Sequence, residues 1–427
     1  MRILLIQSYL GGGECRVFPL GVACLKASLK GHEVSTLDLN TCDLPFDELK
    51  DAVLAFRPDI IGISIRNIDS TNKRQVVFYY NYLKDTLDVI KPVSKAVIVA
   101  GGSGFSMFAP EIMNDEQRID FGVFLEGEIT FPLLIENIAG PEKVPSIYYR
   151  KNGKLHFTGP GVAVDVNALK SPDRGDMNIG GYTKLRDAIG VETKRGCALN
   201  CVYCIYGFLN GKSLRLRRPS AVVDEIEAMV ESGGVTEITF VDSMFNVPKR
   251  HAEEICRELV TRNIEGLTWS AWFSERYLDG EFIELIKRAG CRTIILSPDG
   301  FSDNVLKKLG KNITKADILR AYELLKASSG IEVSYNFFKN PPGQDVGTFL
   351  SLMAFFIKAK AQMGDRVHFE FNSMRVEPHT ELYKTALAEG IVSEGEDLLY
   401  PKYYSNPGTP YIETMFNALL RLKELRR

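Results

Sequence analysis

Short apolar runs alternate with amphipathic segments through most of this chain, and that alternation restricts it to folds of parallel strands joined by helices. Across residues 1–140 the runs at 2–8, 32–40, 59–65, 96–102 and 121–128 read as strands. Helical periodicity at 19–31, 46–56, 74–90 and 129–138 fills the gaps, and Gly31 is a helix stop. Five such units imply a Rossmann-like, doubly wound parallel sheet, whose ligands bind at the carboxyl ends of the strands. Those ends carry Gln7 and Ser8, Ser64 to Arg66, Gly101, Gly102 and Gly104, and Glu126, Gly127 and Glu128.

The pattern breaks at residues 141–189. Residues 146–158 alternate polar and apolar around Asn152-Gly153, a strong hairpin signal, and 159–176 read as an extended linker. Strand–helix alternation resumes over 190–385, with strands expected at 190–195, 236–241, 267–272, 292–297, 331–337 and 367–374. Six units predict a partial (β/α)6 barrel with its chemistry at the strand carboxyl ends. Residues 386–427 read as a short C-terminal cap, with a Tyr-rich loop and a final helix ending in LLRLKELRR. The loop is expected to cover a pocket, form an interface or pack as a cap.

A chain of 427 residues, 45% hydrophobic and 25% charged, is ordinary for a globular protein of two or three domains. Its net charge of −2 gives no electrostatic reason to expect nucleic acid as a partner. No apolar run is long enough to span a membrane, and the first residues read as a strand and not a signal peptide, so a cytoplasmic location is expected.

Three of the eight cysteines, Cys197, Cys201 and Cys204, fall within KRGCALNCVYCIYG, just after the first expected barrel strand. The other five are scattered and read as free thiols. Three clustered thiolates suit an iron–sulfur cluster or zinc. Zinc lacks a fourth ligand at a sensible spacing, because there is no second C-x-x-C and the nearest histidines, His156 and His251, belong to unrelated elements. The remaining reading is a 4Fe-4S cluster with one iron not held by cysteine.

This C-x3-C-x-aromatic-C pattern, with Tyr203 as the aromatic, resembles that of the radical S-adenosylmethionine (radical SAM) superfamily. The resemblance implies that SAM chelates the fourth iron and is split to a 5′-deoxyadenosyl radical. Segments 19–40, 126–138, 237–259, 289–314, 335–345 and 375–391 extend it over nearly the whole chain, to the cobalamin (B12)-binding branch of that superfamily. It implies a B12-binding first domain, a radical SAM barrel, and an external electron donor such as flavodoxin or ferredoxin.

Within that resemblance, Ser64, Gly101, Gly102, Gly104, Glu126, Gly127 and Glu128 are candidates to line the cobalamin site. The chain has no D-x-H-x-x-G turn, so no histidine of that motif ligates cobalt; His32 sits at a helix–strand junction. The bland alternative is a domain that keeps the fold without the cofactor. The Gly-rich run at 10–13 lacks the full dinucleotide fingerprint. Candidate SAM contacts at the strand ends are Tyr203, Asp242, Ser297, Asp299 and Asn340. These ends depart from the family pattern: Ser243 replaces a second acid, Pro298-Asp299-Gly300-Phe301 stands for Glu-Ser-Gly-Ser, and Asn340-Pro341-Pro342-Gly343-Gln344 for Gly-Leu-Pro-Gly-Glu. Candidate catalytic residues are Tyr206 after the cysteines, and Arg375, Glu377 and His379 near the last strand, where relatives usually carry glycine in place of His379.

Three functions fit these features. The first is a cobalamin-dependent radical SAM methyltransferase acting on a carbon of a small molecule. The second is a non-methylating enzyme that rearranges, cyclises or transfers the 3-amino-3-carboxypropyl group of SAM. The third is a redox or binding protein with a vestigial B12 domain.

Overall fold

The structure is a computed structural model that describes residues 1–424, with side chains described through residue 418. It divides into two compact units, Met1–Gly190 with Leu209–Gly211, and Val191–Phe208 with Lys212–Arg427.

The first unit is one seven-stranded sheet. In chain order its strands are β1 (Arg2–Gln7), β2 (Glu33–Asp38), β3 (Ile60–Ser64), β4 (Val97–Gly101), β5 (Phe121–Val123), β6 (Ile147–Lys151) and β7 (Lys154–Phe157). Their spatial order is β2-β1-β3-β4-β5-β6-β7, parallel from β2 to β5 and antiparallel beyond. Strand β1 lies between β2 and β3 and is buried on both faces, which is why RILLIQ is almost continuously apolar. Helix Leu20–Ser28 packs with Gly127–Glu136, and Pro45–Phe56 with Tyr80–Ile90. The strand order reverses between β1 and β3, so the crevice expected to take a ligand opens beyond Gln7 and Ser64.

The hairpin forms where Asn152-Gly153 placed it, with φ of 52° and 74° at the two turn residues. It is the continuation of this sheet and not a separate element: β6 pairs with β5 from Phe121↔Tyr149 to Val123↔Ile147. Residues 141–189, expected as a hairpin and linker apart from the first domain, therefore belong to the first unit. Arg174 holds the end of that stretch by donating from Nη2 to the Gly190 carbonyl at 3.0 Å.

The second unit is built on β8 (Gly190–Val191), β9 (Lys194–Arg195), β10 (Arg215–Leu216), β11 (Glu237–Phe240), β12 (Thr268–Phe273), β13 (Cys291–Asp299), β14 (Glu332–Phe338), β15 (Val367–Asn372), β16 (Met374–Arg375) and β17 (Tyr403–Tyr404). Six of them form one sheet in the order β15-β14-β13-β12-β11-β8, with β8 and β15 as its edges. The first barrel strand, expected as one run over 190–195, is instead two short pieces. β8 joins the large sheet, while β9 turns away to pair antiparallel with β10. Between the outward face of β14 and β15 and the helices Val346–Met363 and Pro410–Glu424 lies an aromatic layer. Tyr335, Phe337, Phe369 and Phe371 pack there against Phe355, Phe356 and Phe416. The last residues of LLRLKELRR, 425–427, lie outside the described residues.

Tight packing in the first unit is testable at Gly122. A methyl group there would overlap the Phe105 ring, 2.9 Å from its Cε1 atom. Gly122→Ala is expected to destabilise the first unit by about 1–3 kcal/mol. Urea unfolding with the same midpoint as the parent chain would contradict the packing described.

Candidate cofactor sites

The three cysteines sit on the segment between β9 and β10, which has no regular structure until Tyr206–Leu209. A short antiparallel ladder closes its base, with Arg195 opposite Arg215 and Lys194 opposite Leu216. Gly196 takes a φ of 99° and passes so close to the Ser213 carbonyl that a β-carbon would collide with it, so glycine is required there. The segment is tied down at several points. Val202 donates its N–H to Leu309 O at 3.0 Å and accepts from Leu382 N at 2.8 Å; Lys212 Nζ donates to Leu199 O at 2.6 Å.

Two buried ion pairs flank it. Under its entry, Lys194 Nζ meets Asp242 Oδ2 at 2.6 Å, with both side chains almost wholly out of solvent. The Asp242 carboxylate also accepts from Thr193 N at 2.8 Å, from Thr193 Oγ1 and from Lys194 N, while Lys194 Nζ donates to Phe245 O at 3.1 Å. Each charge is thus compensated, as a buried pair requires. At the other flank, Asp299 at the end of β13 accepts from Tyr203 Oη and is paired with Lys311, whose Nζ also donates to Ser297 O at 2.6 Å. Burial raises the Tyr203 hydroxyl well above its usual range. Burial likewise pushes the Cys204 thiol up to about 11 and raises Cys201, against which the Lys311 charge works in the lowering direction.

This geometry re-sorts the expected SAM contacts. Tyr203 and Asp299 are brought together, and Ser297 lies on the inner face of β13. Asp242 and Asn340 already have protein partners. Asp242 spends its carboxylate on Thr193 and Lys194. Asn340 donates from Nδ2 to Ser405 Oγ, Asn406 O and Thr409 O, and its Oδ1 accepts from Thr409 Oγ1. Their polar atoms are occupied by anchoring the cysteine segment and the C-terminal cap. The Tyr-rich loop is accordingly a packed cap within the second unit, with β17 paired to β16.

The candidate catalytic residues differ in their surroundings. Arg375 is buried, paired with Glu377 at 2.6 Å, and donates to the carbonyl of Leu398 at 3.0 Å, so it ties the last strands to the cap. His379 has a φ of 62°, the left-handed geometry that favours glycine, and its ring stacks on Phe208 at 4.1 Å. Tyr206 is 42% exposed and fills no core. Sequence reasoning missed Thr193, Lys194 and Lys311. A lysine in a strand-to-loop junction or a helix-to-helix turn looks like solvated surface, and only long-range pairing removes it from water.

The cysteine segment fits an iron–sulfur cluster by its donor set. All three thiols are free, and residues 194–216 contain no His, Asp or Glu to act as a further ligand. Among the described residues no three His, Cys, Asp or Glu side chains converge on a point that would ligate a single metal ion.

In the first unit the carboxyl ends of β1, β3 and β4 crowd together. Ser8 N donates to Ser64 O and Ile65 N to Gly101 O. A β-carbon at Gly102 would lie 2.6 Å from Ile65 O, and one at Gly104 about 3.0 Å from Asn67 backbone atoms, so both glycines serve this close approach. The Ser64 hydroxyl, at the strand reversal, fits a ligand needing a hydrogen bond. Glu126 is committed instead: its Oε2 accepts from Val164 N at 2.9 Å. Gly127 packs on Leu25, and Glu128 is buried in the first turn of its helix. His32 precedes β2, at the opposite end of the sheet from this crest, so no reach to a ligand there follows from it.

Two substitutions test the buried charges. Lys311→Met would leave Asp299 buried without its cation and is expected to cost about 3–5 kcal/mol. Lys311→Met with Asp299→Asn should recover most of that loss in urea unfolding; failure to recover would show that the pair is not the cause. The second is Glu275, fully buried at the end of β12 with Oε1 lacking a partner. Desolvation raises its carboxyl from 4.5 to about 7. The folded chain keeps this proton while the unfolded chain releases it, so stability falls as pH rises through that window. Relative to Glu275→Gln, the parent chain is expected to lose about 3 kcal/mol between pH 4.5 and 7. Parallel stability profiles for the two proteins would refute this.

Comparison with known proteins agrees with the geometry. Residues 14–135 match the B12-binding domain and residues 191–356 the Radical SAM superfamily. An uncharacterized methyltransferase of Pyrococcus horikoshii is 25% identical over 381 residues, 88% of this chain and 79% of that protein. An anaerobic magnesium-protoporphyrin IX monomethyl ester cyclase of Synechocystis is 26% identical over 72% of this chain, which spans only 62% of its length. The solved radical SAM methyltransferase TsrM of Kitasatospora setae, with cobalamin and a [4Fe-4S] cluster bound, superposes with a TM-score of 0.78 at 22% identity, covering 91% of this chain and 78% of that one. This chain thus joins, in one polypeptide, a B12-binding domain and a radical SAM superfamily domain that contains the three-cysteine segment.

Proposed function

We propose that this protein is a cobalamin-dependent radical SAM methyltransferase that acts on a carbon of a small molecule. The observation that carries the reading is the incomplete donor set at residues 197–204, three thiols with no fourth protein ligand in the segment, on a chain that also has a B12-binding sheet. The similarity to an uncharacterized methyltransferase, of which the chain covers 79%, supports the choice of group transferred.

When bound, the cluster and cobalamin supply electron transfer to SAM and the carrying of a methyl group. The chain's own residues do the rest. Cys197, Cys201 and Cys204 would hold the cluster. Lys194 with Asp242 and Lys311 with Asp299 fix the segment that carries these thiols and keep water from beneath it. Ser64, Gly101 and Gly102 would line the cobalamin site. A pocket that binds before reaction has to be assembled in advance, and these pairs assemble it. No helix among the described residues is long and apolar enough to cross a membrane. A cytoplasmic, reducing setting is part of the proposal, since oxidation would consume the thiols, as is an external donor such as flavodoxin or ferredoxin.

A second reading, non-methylating chemistry on SAM, is favoured by the cyclase among the relatives and by the strand ends at Asp242 and Asn340, whose side chains bond to the protein itself. Product analysis on anaerobically reconstituted protein with SAM and reductant separates them. S-adenosylhomocysteine with 5′-deoxyadenosine is the expected outcome. Methylthioadenosine would indicate aminocarboxypropyl transfer, and 5′-deoxyadenosine alone a non-methylating radical reaction; either would overturn the proposal. Cys201→Ala should abolish both the cluster absorbance and SAM cleavage.

A further inference from the structure

The last barrel strand has two very different faces. On β15, Val367, Phe369 and Phe371 share one face, whose two phenylalanines take part in the aromatic layer, while His368, Glu370 and Asn372 alternate with them and are exposed. The same inner face of β14 carries Ser334, Asn336 and Phe338, opposite His368, Glu370 and Asn372 in register. Phe338 meets the Tyr203 ring edge-on at 4.8 Å, so this face looks toward the cysteine segment.

Across that face runs a polar row whose bonding is incomplete. Asn336 Nδ2 donates to Ser297 Oγ at 3.2 Å on β13. That bond leaves Asn336 Oδ1 as a buried acceptor with no donor. Its register neighbour Glu370, about 5 Å away across a parallel pair, forms no ion pair or side-chain hydrogen bond among the described residues. An anionic carboxylate and an orphaned carbonyl oxygen therefore stand side by side without a hydrogen-bond donor. A buried acceptor left unpaired is costly, and the group that satisfies it together with a carboxylate is a compact cation with several N–H donors.

We propose that Glu370, with Asn336, recognises a protonated primary amine on the substrate and so positions it within the barrel. This inference rests on the reading of the protein as an enzyme acting on a small molecule, and it names the class of that molecule. Glu370 is a binding and specificity residue; the reaction itself stays with the cofactors. A primary ammonium offers three donors in the volume of a methyl group. An N-acylated amine has lost both the charge and two of the donors.

The experiment uses the reconstituted holoenzyme and three matched pairs of probes: tryptamine, tyramine and agmatine, each beside the derivative acetylated on its primary amine. Binding is measured by equilibrium dialysis with the parent protein and Glu370→Gln. At least one amine is expected to bind at least tenfold more tightly than its N-acetyl partner, and Glu370→Gln to remove that preference while the cluster absorbance, SAM binding and melting temperature stay unchanged. No binding by any of the amines, equal binding of amine and N-acetyl partner, or an amine preference that survives Glu370→Gln would each overturn the proposal. SAM product analysis on the same preparations keeps the two ideas apart: amine selectivity without S-adenosylhomocysteine would refute the methyltransferase reading alone.

Discussion

The architecture depends on holding an irregular, thiol-bearing segment in place without regular secondary structure of its own. Backbone hydrogen bonds tie residues 196–205 at only a few points, so the fixing falls to the two buried lysine–carboxylate pairs. Neither pair is a cheap way to gain stability, because desolvating two charges offsets most of their attraction. What such pairs provide is a single geometry: the lysine and aspartate are satisfied only when the entry to the segment and the end of β13 sit where they do. The glycine at 196 serves the same end by letting the chain pass close to the Ser213 carbonyl.

The same logic shapes the C-terminal cap. Arg375 and Asn340, both near the carboxyl ends of late strands, turn away from chemistry and bind the backbone of residues 398–409. Strand ends that carry ligand contacts in a typical barrel are here partly given over to closing the structure. On the inner face of β14 and β15, Asn336 Oδ1 and the Glu370 carboxylate have no hydrogen-bond donor among the described residues.

Much of the fold was legible in the sequence because it depends on local pattern. The continuous apolar run of β1, the Asn-Gly turn at 152–153 and the strand–helix spacing beyond residue 190 each report burial or backbone conformation directly. The first barrel strand was misjudged as continuous because two residues suffice for a ladder, and apolar pattern cannot resolve so short a piece. The hairpin was read correctly as a hairpin, yet its attachment to β5 rests on long-range pairing that local pattern does not carry.

The candidate site divides the same way. Spacing alone determined the three cysteines, since their identity and proximity in the chain are the whole signal. The lack of a D-x-H-x-x-G turn is likewise plain in the letters, whereas the left-handed backbone at His379 is known only from the structure. The tertiary structure decided what every other candidate does. Asp242, Asn340 and Arg375 were given their protein partners there, and Lys194, Lys311, Asn336 and Glu370 emerged only once distant strands were placed side by side. A carboxylate's role is set by which donors surround it and how much water reaches it, and both are properties of the fold and not of the neighbouring letters.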